Sequence, residues 1–153
     1  MNSDDIDKLD RKILTVLQQD ARIPFQEISR ELNVSGGTVH VRYNKLKEHG
    51  VITGSKLLID YGKLGYDVTA FIGINLHNAG DYSDVLEKIK SMPEITEAHY
   101  TTGTYSIFIK VVAKSTKGLH TFLTEKLQTL KEIQSTETFI SLDIPVQRDV
   151  SLV

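Results

Sequence analysis

The 153-residue sequence contains no cysteine, and no apolar run in it approaches the length of a membrane helix. Without cysteine there are no disulfides, thiolate nucleophiles or thiolate metal sites, a composition that fits a reducing compartment. The first residues, Met1-Asn2-Ser3-Asp4-Asp5, are acidic where a secretory leader would be basic, so a soluble cytoplasmic protein with no membrane partner is expected. No Gly-x-Ser-x-Gly elbow and no phosphate-binding glycine loop occurs. None of the five histidines, His40, His49, His77, His99 and His120, belongs to a helical His-x-x-x-His pair. The expectation is a protein with no catalytic residues, no metal and no cofactor.

What is present is an ordinary globular composition, 40% apolar and 25% charged, which is enough to fold without covalent staples. The formal net charge is only −2, but it is unevenly distributed. Residues 22–56 carry six cations against three anions, whereas the chain from Tyr66 onward carries eight against eleven. A local basic face can still attract phosphates, because screening mutes distant charges.

Three helices are predicted at the start. From about Asp7 to Asp20, Leu9, Ile13, Val16 and Leu17 recur on one helical face, with Asp7 and Asp10 in the first turn. Pro24 opens a second helix whose stripe is Phe25, Ile28 and Leu32, and Asn33 ends it. Val34 then plugs a tight turn. Ser35 can cap a third helix through the backbone near Thr38, and Gly50 stops it after His49. On that helix Val39, Tyr43 and Leu46 share one face, while Gly37, Thr38, His40, Val41, Asn44 and Lys45 project elsewhere. Two short helices around a tight turn form a helix-turn-helix. Residues Val51 to Ile59 read as a strand or small wing, and Asp60 to Gly65 as a hinge.

The second half reads strand, helix, strand, strand, helix, strand. The segments are Val68 to Leu76, Tyr82 to Met92, Ile95 to Thr101, Tyr105 to Ala113, Thr116 to Lys131 and Ile133 to Val146. The apolar stretch Tyr105 to Ala113 is expected to be central and covered on both faces. The predicted fold is therefore α+β: a winged helix-turn-helix of three helices plus short strands over residues 1–60, a hinge at 61–66, and a ferredoxin-like βαββαβ domain over 67–153.

Side-chain chemistry gives each half a candidate site. Asn44 can contact adenine bidentately, Thr38 and Val41 can touch a thymine methyl, and His40 or Lys45 can donate to a base or a phosphate. Arg42 can clamp a phosphate or pair with an acid on an earlier helix. Solvated polar positions on a plain three-helix bundle are the alternative. The stretch Tyr100-Thr101-Thr102-Gly103-Thr104-Tyr105-Ser106 gathers hydroxyls and rings around a turn, as recognition of a small polar molecule requires. Ser135-Thr136-Glu137-Thr138 is similarly rich in hydroxyls, with Glu137 available to an ammonium. Ordinary strand-surface composition is the competing reading here.

Several stretches of the chain resemble the Lrp/AsnC family of feast/famine regulators, in particular its asparagine-responsive branch. They are Leu9-Asp10-Arg11-Lys12-Ile13-Leu14, Ser35-Gly36-Gly37-Thr38-Val39-His40-Val41-Arg42, His49-Gly50-Val51-Ile52-Thr53-Gly54, Leu64-Gly65-Tyr66-Asp67, Tyr100 to Val111, and Glu132 to Thr138. The resemblance implies a regulator that binds double-stranded DNA through Ser35, Gly37, Thr38, His40, Val41, Arg42, Asn44 and Lys45. It also implies sheets that pair in a homodimer, dimers that assemble further into an octameric disc, and an amino-acid effector between dimers near the Gly103 turn and Ser135 to Thr138. Many relatives carry an acid where Ser106 stands, which leaves Glu137 to receive the ammonium. Tyr43 is larger than the aliphatic residue common there. A small ferredoxin-like enzyme, or a module that binds metabolites but not DNA, is the remaining alternative.

Overall fold

In the computed structural model, which describes residues 5–152, the chain forms two units. One is Ile59–Pro145; the other comprises the residues up to Leu58 together with those from Val146 onward. The residues from Val146 onward thus group by contact with the helical residues.

The helical unit begins with α1 (Lys8–Gln19), whose start is set by a reciprocal capping box. The Asp10 amide donates to Asp7 Oδ1 at 2.9 Å, and the Asp7 amide donates to Asp10 Oδ2 at 3.1 Å. Helix α2 (Phe25–Leu32) follows Pro24 and ends at Asn33, which takes φ 54°, a left-handed conformation that asparagine tolerates. Helix α3 (Gly36–Glu48) is capped by Ser35 Oγ, which accepts from the Thr38 amide at 3.0 Å. Gly50, at φ 71°, turns the chain away as expected. Ile13, Val16, Ile28 and Val39 are buried together, with Leu9, Leu17, Ile23, Phe25, Leu32 and Val34 packed around them.

The predicted wing strand does not form, since residues 51–59 contain no strand. A strand exists only beside a hydrogen-bonded neighbour, and among the described residues the helical unit has none.

The second unit is an antiparallel sheet of β1 (Val68–Leu76), β2 (Ile95–Tyr100), β3 (Ile107–Ala113) and β4 (Ile133–Ile140), in the order β2-β3-β1-β4. Helices α4 (Tyr82–Lys90) and α5 (Thr116–Glu125) complete the βαββαβ sequence. Alternate residues Val68, Ala70, Ile72, Ile74 and Leu76 of β1 and Ile107, Ile109, Val111 and Ala113 of β3 form one core with Val85, Ile89, Leu119, Phe122 and Leu127. A fully buried isoleucine contributes about 2–3 kcal/mol, so this alternation decides which face of the sheet receives the helices.

Strand β3 is central, as expected, but not covered on both faces. Its residues alternate between buried and half-exposed, so Phe108, Lys110 and Val112 lie on an open face with Phe71, Gly73 and Asn75 of β1. Strand β4 stops at Ile140, short of the predicted Val146. The Ser141 amide still donates to the Thr69 carbonyl at 2.8 Å, but β1 begins at Val68 and offers no partner further on.

The two βαβ halves are braced crosswise. Lys88 on α4 donates to Glu132 just before β4, and Lys126 at the end of α5 donates to Glu94 just before β2, each at 2.5 Å. Each helix thereby pins the start of the strand that belongs to the other half.

Candidate DNA and effector sites

The inward pair Val39 and Leu46, both fully buried, sets the rotation of α3. Seven residues make two turns, so the opposite side carries Gly37, His40, Val41, Asn44 and Lys47, all exposed and spaced three or four apart. Val41, an apolar group, is 65% exposed. This stripe has the size and chemistry of a major-groove reading face.

Ser35 and Thr38 serve the start of α3. Their hydroxyl oxygens lie 2.8 Å apart, so Thr38 spends its hydroxyl on the cap while its neighbour holds the backbone. Asn44 Nδ2 lies 3.2 Å from His40 Nε2. Lys45 is half-buried at the flank of the stripe. Lys47, absent from the predicted site, belongs to the exposed stripe; counting seven residues, two turns, on from His40 would have found it.

Arg42 leaves the predicted DNA face. Its Nη1 lies 2.6 Å from Asp7 Oδ2 and 3.2 Å from Asp10 Oδ2, and Asp10 is fully buried. The hydrogen bond to Asp7 holds the guanidinium charged still more firmly than usual. Backbone donation from Asp10, followed by the Arg42 contacts, outweighs desolvation and lowers the Asp7 carboxyl below its ordinary value. Arg42 therefore fixes α3 to α1.

The eleven predicted effector residues do not converge within one chain. On β4, Ser135 and Glu137 register with Asn75 and Gly73 on the open face, whereas Thr136 and Thr138 register with Ile74 and Ile72 on the helix face. Thr136 accepts from Gln128 there at 3.3 Å, and Ser135 accepts from Asn75 at 3.2 Å on the other side. Tyr100, at the far edge of the sheet, packs on Tyr82 of α4 at 4.5 Å. Two strands separate β2 from β4, about 14 Å at ordinary strand spacing.

Tyr105 is the exception, because it crosses the gap. Its ring lies over Gly73, where a Cβ would come within 2.5 Å of it, and its hydroxyl donates to Glu137 Oε2. That bond raises the tyrosine's pKa, since loss of the proton would set two anions together. Thr101 donates its hydroxyl to the Tyr105 carbonyl, and the Ser106 amide donates to the Ile74 carbonyl at 2.9 Å. Thr102, Gly103 and Thr104 form an exposed loop. Gly103 has open space where a Cβ would stand, so the turn makes no steric demand for glycine there.

A cavity of about 390 Å³ lies in the helical unit, lined by Leu14, Leu17, Tyr43 and residues 51–55 among others, and a shallow one of about 150 Å³ lies between α4 and β2. None of the predicted effector residues lines either. Among the described residues no three histidine or acidic side chains are grouped to hold a metal, and no helix is long and apolar enough to cross a membrane.

Residues 6–47, the three helices, match the AsnC-type helix-turn-helix domain, and residues 69–151 match the Lrp/AsnC ligand binding domain. The chain belongs to the Lrp/AsnC family. It is 52% identical to the regulatory protein AsnC of Haemophilus influenzae, over 95% of this chain and 97% of that one. Against the AsnC of Escherichia coli K12 the identity is 50%, over 95% of each chain. The solved structure of E. coli AsnC superposes with a TM-score of 0.92 at 49% identity, covering 95% of this chain and 98% of that one. As a member of the Lrp/AsnC family the protein is a DNA-binding transcriptional regulator with a ligand-binding domain. It is not an enzyme, and the exposed stripe of α3 belongs to its DNA-binding half.

Proposed function

We propose that α3 enters the major groove and reads base edges through Val41 and Asn44, with His40 beside Asn44 on the same face, Lys45 and Lys47 meeting phosphates and Gly37 allowing close approach. Ser35 and Thr38 present the helix N-terminus, and Arg42 sets the helix angle. The observation that carries this reading is the exposed stripe opposite Val39 and Leu46. The protein acts in the cytoplasm, on double-stranded DNA.

The same reading extends to assembly and effector. The open sheet face, with Phe71, Phe108 and Phe139, meets the equivalent face of a second copy, and dimers associate further, to an octamer. Leu142, 97% exposed, and its neighbours Ile144 and Val146 add apolar surface that one chain leaves uncovered. A small neutral amino acid, asparagine first, binds between copies. The Gly103 loop offers backbone N–H groups to its carboxylate, and Glu137 keeps lone pairs for its ammonium beyond the one that Tyr105 engages. Division of the effector residues between two faces and two edges supports a site completed by another subunit. The ferredoxin-like domain, residues 67–153, is the effector and assembly region, after a hinge at 61–66.

Gel shifts at several salt concentrations test the DNA reading: affinity for a preferred duplex should fall steeply with salt and exceed that for random DNA. Calorimetry against asparagine, glutamine, leucine and lysine, paired with sedimentation, tests the effector. Asparagine should release heat and shift the oligomer equilibrium; heat from leucine alone would overturn the assignment.

A further inference from the structure

On the exposed stripe of α3 one side chain is held on two sides. The His40 ring lies 5.9 Å from that of Phe25 at an interplanar angle of 57°, and its Nε2 is 3.2 Å from Asn44 Nδ2, one turn further along the helix. Phe25 is itself seated against Tyr43 at 5.0 Å and packs on the core of the helical unit. An amide nitrogen can only donate, so in this contact His40 Nε2 accepts and the ring proton sits on Nδ1.

We propose that His40 is a positioning residue that sets which edge Asn44 turns to the DNA, and is thereby a determinant of specificity for adenine. The inference rests on reading α3 as the recognition helix. Adenine shows an N7 acceptor and an N6 donor in the major groove, and asparagine matches them with Oδ1 and the Nδ2 hydrogen on the same side as that oxygen. The second Nδ2 hydrogen takes no part in the pair. Side chains on a helix lean toward its N-terminus, which brings that spare hydrogen to the residue four positions earlier, where His40 stands.

With the ring proton on Nδ1, a flipped amide would set Oδ1 against the Nε2 lone pair, two acceptors face to face. In that tautomer the histidine selects one of the two amide orientations before DNA arrives. An exposed asparagine without such a partner samples both, and ordering it on binding costs affinity and blurs the choice of base. Phe25 restricts the imidazole in turn, so the arrangement runs from α2 through a ring to the base-reading group.

The test uses the full chain, a preferred duplex selected from a random pool, and duplexes with each base pair exchanged singly. Binding is followed by fluorescence anisotropy for His40→Phe, His40→Ala, His40→Gln, Asn44→Ala and the double variant His40→Phe with Asn44→Ala. Phenylalanine keeps the ring against Phe25 without an acceptor; alanine is a second acceptor-free variant; glutamine restores an acceptor without a ring. Asn44→Ala should lose about five- to hundred-fold discrimination at one A·T pair. His40→Phe and His40→Ala should lose several-fold at the same pair, His40→Gln should regain it, and His40→Phe should add nothing once Asn44 is alanine. Full discrimination in both acceptor-free variants overturns the proposal. So does a His40→Phe loss that persists in the Asn44→Ala background, which would mean that histidine touches DNA itself. If no variant changes DNA binding at all, the reading of α3 as the recognition helix fails, and the proposal falls with it.

Discussion

The guanidinium of Arg42 on α3 reaches the fully buried carboxylate of Asp10 on α1, with Nη1 3.2 Å from Oδ2. Asp10 is also half of the capping box that starts α1, so one carboxylate begins the first helix and orients the third.

Arg42→Ala removes the cation and leaves Asp10 buried without its partner, a change that costs about 3 kcal/mol. Urea unfolding of the helical unit should show that loss, and binding to preferred and random DNA should weaken together. A variant of wild-type stability that had lost only its preference among sequences would return Arg42 to the DNA face.

Lys47→Ala should behave as the loss of a phosphate contact. The expected result is nearly uniform weakening across sequences and a salt dependence shallower by about one unit of slope. Titrations on two duplexes at four salt concentrations check it, and a base-specific effect would contradict the role given to Lys47.

Gly73 leaves the space that the Tyr105 ring fills. A methyl group there would stand 2.5 Å from the ring, so Gly73→Ala should displace the tyrosine from Glu137 and cost about 1–3 kcal/mol by overpacking. In a Tyr105→Ala background the same substitution should cost almost nothing. Near-ultraviolet circular dichroism and thermal unfolding of the four proteins form the cycle; equal costs in both backgrounds would remove the ring from the explanation.

The crosswise lysine and glutamate pairs give the sheet unit a pH dependence. Burial pushes the Glu94 carboxyl upward, but the Lys126 hydrogen bond together with backbone donation outweighs it, and the net pKa is lowered. The Lys88 hydrogen bond lowers that of Glu132. A carboxyl whose folded pKa lies below its unfolded one stabilises the fold fully above the unfolded value, and that contribution is lost as pH falls through the folded value. Stability should therefore decline from about pH 5 downward. Glu94→Gln with Glu132→Gln should flatten the decline and lower stability at pH 7. An unchanged slope in the double variant would show that other carboxyls carry it.

Much was legible before any coordinates. The capping residue Ser35, the acidic first turn at Asp7 and Asp10, the stop at Gly50, the inward pair Val39 and Leu46, and the order of strands and helices all follow from local chemistry and periodicity. These are properties of neighbouring residues in the chain, so the sequence alone determined the three helices, the βαββαβ order and the cations of the third helix.

The tertiary structure decided what depends on partners distant in sequence. Nothing local says that Arg42 spends its charge on Asp7 and Asp10, since those carboxylates lie more than 30 residues earlier. Pairing ends β4 where β1 runs out, and the wing segment forms no strand where no neighbour lies beside it. The predicted effector segments are adjacent in chemistry yet divided between the two faces of the sheet, because side chains alternate along a strand and its register is set by the strand opposite. Only the folded sheet carries the Tyr105 ring across Gly73 to Glu137, 32 residues away.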